Sequence, residues 1–219
     1  MPAHKAIRWP LVLLLAWLPG RALADTYVRQ PGLDVIGYVF RLTLGEDTDE
    51  IDGEATVDVR FAGAGSVHLE LDLAAPSPAA PGRGMRVTGV SEAGAPLPFT
   101  HSGDRLRISI STPAAAGERR RFTVRYRGVP ATGLVIGRNK HGDRGFFSDN
   151  WPDKARQWLP VVDHPSDKAT CEFDVTAPAH YQVVSNGLQV EETGRRDGRR
   201  RTRWVPSVPV ASWVFVLGV

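Results

Sequence analysis

The side chains best suited to chemistry are concentrated in one stretch, NWPDKARQWLPVVDHPSDKA, Asn150 to Ala169. It holds two tryptophans, three prolines and the adjacent pair Asp163-His164. Such a pair invites an acyl-transfer reading, with Ser148 or Ser166 as nucleophile and His164 as base. Neighbours in an extended chain point to opposite faces, so Asp163 is badly placed to orient the very next His. No serine lies in the strand-turn-helix elbow that exposes a hydrolytic nucleophile. The histidines are His4, His68, His101, His141, His164 and His180; no two are three to five residues apart and none precedes a glutamate. The H-E-x-x-H helix of zinc hydrolases is therefore absent. Cys171 alternates with Phe173 and Val175 and reads as a small buried residue, not a nucleophile. The run Arg195 to Arg203 is basic enough for an anionic partner, but it straddles an Asp197-Gly198 turn with Glu191 and Glu192 nearby, which favours a solvated hairpin tip. These residues identify no catalytic group and no metal ligand.

The elements that would position this stretch are strands. Period-2 alternation dominates. Ile36, Tyr38, Phe40, Leu42 and Leu44 form one face of a first strand. Ala55 to Phe61, Val67 to Leu73, Leu106 to Ile110, Phe122 to Tyr126 and Cys171 to Val175 repeat the pattern. Further strand-like runs follow at Tyr181–Ser185, Leu188–Glu191, Thr202–Val205 and Ser212–Leu217. Turn signals separate them, among them Asp52-Gly53 and Asn186-Gly187, and Ala74 to Gly84 reads as a longer loop. One polar and one apolar face per strand predict an all-β fold, a large antiparallel β-sandwich of ten or more strands. Only Trp151 to Trp158 suggests a helical turn, with Asn150 as cap, Pro152 in the first turn and Leu159-Pro160 as its end.

The first 24 residues have the pattern of a signal peptide. Lys5 and Arg8 form a basic start, Trp9 to Leu18 a short apolar core, and Ala22-Leu23-Ala24 a small-x-small cleavage site. The expected mature chain, one domain over residues 25–219, is exported to the periplasm or beyond. The formal charge of +3 includes Lys5, Arg8 and Arg21, so removing them leaves a near-neutral protein. The high isoelectric point thus reports targeting and gives no reason to expect a nucleic-acid partner. No segment is long and apolar enough to predict a membrane span. A single cysteine, Cys171, excludes an internal disulfide.

The order Ala155-Arg156, Leu159-Pro160, Asp163-His164-Pro165, Lys168-Ala169, Ser185-Asn186-Gly187 resembles the pattern A-R-x-x-x-P-x-x-D-x-P-x-x-K-A of zinc aminopeptidases of the aminopeptidase N and leukotriene hydrolase type. Asp34 to Tyr38, Ile51-Asp52-Gly53 and Pro209 to Phe215 are similar to strands that open and close that family's first domain. The resemblance covers about Leu33 to Val219. It implies a saddle-like β-sandwich that precedes a thermolysin-like catalytic domain, absent from this chain. Zinc is then a cofactor of the full-length family and none is expected here. The implied partners are a catalytic domain, in cis or on a separate chain, and the N-terminus of a peptide substrate. In many members a T-Q-x-[EQ] segment faces the substrate amine; here the aligned residues are Ser148, Asp149, Asn150 and Trp151. Asp149 stands at the Gln position and Trp151 at the Glu position, so these two are the candidate substrate-binding residues. Asp149 could pair with an ammonium group, while Trp151 could offer only stacking or cation–π contact. The other reading is a stand-alone secreted β-sandwich that binds carbohydrate or a protein partner through Phe146, Phe147, Trp151 and Trp158.

Overall fold

The computed structural model describes residues 29–219; the expected signal peptide lies outside the described residues. In chain order the strands are β1 Leu33–Thr43, β2 Ile51–Phe61, β3 Ser66–Asp72, β4 Gly84–Glu92, β5 Ala95–Pro96, β6 Phe99–Ser102, β7 Arg105–Ala114 and β8 Arg119–Val129. They continue with β9 Leu134–Arg138, β10 Arg144–Ser148, β11 Lys168–Pro178, β12 Val184–Ser185, β13 Leu188–Gly194, β14 Arg199–Val205, β15 Val210–Ala211 and β16 Leu217–Gly218. The only helical pieces among the described residues are 3-10 turns at Ala155–Gln157 and Ser212–Val214. The expected all-β class holds.

One large sheet has the order β13-β14-β11-β1-β2-β8-β4-β5, with β15 attached to β11. Its neighbours are antiparallel except β1 and β11, which run parallel from Gly37↔Thr170 to Thr43↔Thr176. A three-stranded sheet β3-β7-β6 and a four-stranded sheet β12-β16-β10-β9 complete the fold. Both small sheets contribute to the core that covers the large sheet's apolar face: Leu69, Leu71, Leu106 and Ile108 from one, Leu134, Phe146 and Leu217 from the other. The centre of that core is aromatic. Tyr38 stacks on Phe40 at 5.3 Å, Phe40 meets Phe173 at 5.5 Å, and Trp158 stacks on Phe173 at 6.0 Å. Fully burying one such ring is worth about 1.5–3 kcal/mol.

Two departures from strict alternation have the same cause. Val35 is buried in place of Ile36, because a bulge between Val35 and Gly37 shifts the β1–β2 register by one residue. Val67 is exposed although it alternates with Leu69, because a second bulge lies between Ser66 and His68. One extra residue reverses the facing of everything before it.

The expected helical turn is smaller than its sequence suggests. Asn150 does not cap it; the 3-10 turn starts after Lys154 without a side-chain cap. The Asn150 side chain is instead committed to groups farther along the chain, and a short polar side chain can serve only one such set of partners at a time.

Gly53 lies opposite Tyr126 in the β2–β8 register, and a Cβ there would sit 2.3 Å from the Tyr126 ring. The missing side chain lets a large ring lie across the strand. Gly53→Ala is therefore expected to lower the urea midpoint, with a loss of about 1–3 kcal/mol from overpacking.

Candidate functional site

The stretch 149–167 connects β10 to β11 and is fastened at three points. The first is Asn150. Its amide donates to the Phe215 carbonyl at 2.7 Å and its carbonyl accepts from Trp158 Nε1 at 2.8 Å. Beside it, Ser148 Oγ accepts from the Leu217 N–H at 2.9 Å and contacts the Phe215 carbonyl at 3.3 Å. The connection is thus stitched to the strand β16 that flanks β10.

The second point is an ionic node beneath the connection. Arg156 donates from its backbone N–H and from Nε to Asp163 Oδ2, at 3.1 and 3.2 Å. Asp163 Oδ1 accepts from the Ser212 hydroxyl at 2.6 Å, and the Asp163 N–H donates to Asp72 Oδ2 at 2.8 Å. Arg105 pairs with the other Asp72 oxygen at 2.8 Å. Burial pushes the Asp163 carboxyl above the usual carboxylate range, and the Ser212 and Arg156 bonds pull it only part of the way back. Burial likewise opposes the Arg156 charge, but Asp72, Asp163 and Asp153 outweigh it and hold the guanidinium pKa above its ordinary value.

The third point is the end of the connection. The Val162 N–H donates to the buried Tyr38 hydroxyl at 2.9 Å. His164 Nδ1 lies 2.7 Å from Ser166 Oγ and accepts from the Ser166 N–H at 3.1 Å. Asp167 Oδ1 accepts from the Val35 N–H at 3.2 Å, while its Oδ2 is buried without a partner among the described residues. Burial, aided by Asp34, raises the Asp167 carboxyl to about 6.

This geometry disposes of the triad reading. The Asp163 carboxylate faces Arg156 and Ser212, not His164. Ser148 is spent on Phe215 and Leu217, and His164 is buried. Cys171 is buried in β11, where loss of hydration raises its thiol pKa well above normal and keeps it protonated. Among the described residues, no group of three or more His, Cys, Asp or Glu side chains could hold a metal ion.

Asp149 and Trp151 are both on the surface, at the end of β10. The Asp149 carboxylate is 52% exposed and pairs with Lys154 Nζ at 2.7 Å. Trp151 is 66% exposed. Of the other three rings named with it, Phe146 and Trp158 are in the core; only Phe147, 62% exposed, joins Trp151 outside.

Phe147 belongs to a larger feature that alternation could not reveal. The registers Val184↔Gly218, Phe147↔Gly218 and Phe147↔Val135 place Val184, Phe147 and Val135 in one row across the four-stranded sheet, all three exposed. Trp213, Val214 and Val216, just before β16, are exposed as well. The opposite face of the same sheet supplies Leu134, Phe146 and Leu217 to the core. The sheet is apolar on both sides. The sequence signal was the consecutive apolar residues Phe146-Phe147, Val183-Val184 and Trp213 to Leu217, which mark strands covered on both faces.

An exposed apolar row of this kind is the feature of the surface that most calls for a covering group. The comparisons with known proteins give this β-domain its family. The Peptidase M1 N-terminal domain model matches residues 38–214, and the chain belongs to that family. An M1 zinc metallopeptidase from Deinococcus radiodurans is 26% identical with a TM-score of 0.74, over 85% of this chain and 42% of that one. A two-domain M1 zinc metallopeptidase solved with L-tryptophan is 28% identical with a TM-score of 0.74, over 86% of this chain and 43% of that one. Leukotriene A4 hydrolase from Saccharomyces cerevisiae shares the fold, with a TM-score of 0.70 at 20% identity over 85% of this chain and 29% of its own. Human glutamyl aminopeptidase is 32% identical over 72 residues, 33% of this chain and 8% of that protein. The chain thus spans less than half the length of these relatives.

Two measurements check the anchoring of the connection. Arg156→Ala leaves the Asp163 carboxylate uncompensated and is expected to cost about 3–5 kcal/mol in urea unfolding. Asp167→Asn tests the orphaned carboxylate. Its folded pKa of about 6 lies above the unfolded value of 3.8, so the wild type loses stability as pH rises through that window. The melting temperature of Asp167→Asn should match the wild type at the acidic end, pull ahead across the window, and stay ahead above it.

Proposed function

We propose that this chain serves as the non-catalytic N-terminal domain of an exported zinc-dependent aminopeptidase. The apolar face around Phe147, Val135 and Val184 packs against a metallopeptidase catalytic domain, in cis or on a second chain. That exposed face carries the reading, because monomeric proteins rarely leave a contiguous apolar patch of this kind open to water. Zinc held by that partner domain would supply an activated water for attack on the first peptide bond of a substrate. No residue of this chain is assigned to that step.

Asp149 and Trp151 lie at the edge of the same face, where a substrate amino end would meet this domain. Lys154 already pairs with Asp149, so an ammonium group would have to displace or share it. Trp151 can cover a substrate side chain or a cation with its free ring. The carbohydrate-binding reading needed four rings on one platform, and two of the four are in the core. The basic start and apolar core of the first 24 residues support export.

The purified chain is expected to hold no stoichiometric zinc and to leave aminoacyl anilides intact. One tight zinc per chain by metal analysis, with anilide cleavage, would sink the proposal. Sequencing past the Val219 codon should find an H-E-x-x-H helix, in frame or in a neighbouring reading frame.

A further inference from the structure

The face of the large sheet that points away from the core is covered with charge, and most of that charge is neutralised. Arg201 grips Asp174 with two bonds of 2.7 and 2.6 Å. Arg41 and Arg125 both reach Glu54, at 3.1 and 3.0 Å. These five residues lie within a groove of about 600 Å³ that runs across the strands.

The same groove has three further arginines, Arg127, Arg195 and Arg199. Among the described residues, their side chains have no ion-pair or hydrogen-bond partner; Arg195 and Arg199 are held only through their backbones. Six arginines line the groove against the carboxylates of Asp52, Glu54 and Asp174, and Glu191 pairs with Arg201 from outside it at 3.0 Å, which leaves an excess of two positive charges. Arg127 lies between Asp52 on β2 and Arg86 on β4, so its one facing carboxylate is set against a second guanidinium. Like charges so placed repel, and a bound anion would relieve them. The hydroxyl-bearing residues Thr43, Thr88 and Thr176 line the groove between the arginines.

We propose that this groove is a binding site for a phosphate-bearing polyanion, held by the uncommitted guanidiniums of Arg127 on one side and Arg195 and Arg199 on the other. Phosphate suits the site because a guanidinium fork donates two parallel bonds to it and a threonine hydroxyl donates a third. More than one phosphate is required. Arg127 is on β8 and Arg199 on β14, four strand spacings apart in the sheet order, or roughly 19 Å between backbones. A ligand that satisfies both sides lies across the strands with charge at both ends. The paired arginines Arg41, Arg125 and Arg201 line the path between.

The test is calorimetry on the purified chain with inorganic tripolyphosphate and, separately, flotation with vesicles that contain phosphatidylglycerol. Binding to tripolyphosphate is expected to exceed binding to orthophosphate and to weaken as salt is raised. The variant Arg127→Ser/Arg195→Ser/Arg199→Ser should lose at least about tenfold in affinity, since each charged bond lost is worth more than a factor of ten. Its melting temperature should stay at the wild-type value, because the three side chains touch no partner. Arg196→Ser, outside the groove, should bind like the wild type. Flotation without tripolyphosphate binding would assign the phosphates to a lipid surface; tripolyphosphate binding without flotation would assign them to a soluble ligand. No binding in either arm overturns the proposal, as does equal binding by the triple variant. Neither result bears on the proposed aminopeptidase role, which depends on the opposite small sheet.

Discussion

A buried carboxylate must find partners, and the partners that Asp163 finds fix the course of the chain around the small sheets. Arg156 approaches from seven residues earlier, Ser212 from 49 residues later, and Asp72 takes the Asp163 N–H from 91 residues earlier. Removing two charges from water costs several kcal/mol per ion, and such a node is stable only with its remaining bonds satisfied. Both Asp163 oxygens and its N–H are used. With Arg156 held below and Trp158 stacked on Phe173, the buried Asn150 is fixed between the surface residues Asp149 and Trp151. Their position at the rim of the four-stranded sheet follows from the node, although none of them belongs to it.

The molecule has two exposed sheet faces of opposite chemistry. Across the large sheet, the registers align Glu191, Arg203, Asp174, Arg41, Glu54 and Arg125 on six consecutive strands, alternating in sign. A single exposed pair of this kind contributes little, but an alternating row leaves no charge facing its like. Such a face is at home in water. The four-stranded sheet instead shows Val135, Phe147 and Val184 outward, with the exposed Trp213 in the turn before β16. The first face is hydrated through its charges; the second is apolar and exposed.

Much of the architecture could be read from the sequence, and the failures have identifiable causes. Strand β8, the first part of β7 and β1 beyond its bulge alternate because one side faces the core and the other water. β4 escaped notice because a bulge between Val87 and Gly89 puts Val87 and Val90 on the same side three residues apart. β9 and β10 escaped because they are apolar on both faces. The Asp197-Gly198 turn marks the Arg195 to Arg203 run as a hairpin, as β13 and β14 are, but alternation does not tell which guanidiniums find carboxylates. Arg201 and Arg203 pair with Asp174 and Glu172 on β11, nearly thirty residues or more before them, through a contact that only the sheet order creates. The motif arginine Arg156 and aspartate Asp163 were legible as residues of a rigid connection; that they bind each other was not.

The parallel pairing of β1 with β11 sets an order of events for the chain. β1 meets β2 across a short turn, and β8 and β4 add to the same edge from the first 129 residues. The other edge must wait, because Tyr38 pairs with Cys171. Closing a loop of that length is entropically costly before any contact rewards it, and such topologies fold slowly. Until β11 arrives, Tyr38, Phe40 and Leu42 lie beside an open strand edge. A chain folded only as far as β8 would leave β1 with an unpaired edge, the kind that recruits the wrong partner. The late strand β11 therefore completes the large sheet and also closes its most exposed backbone.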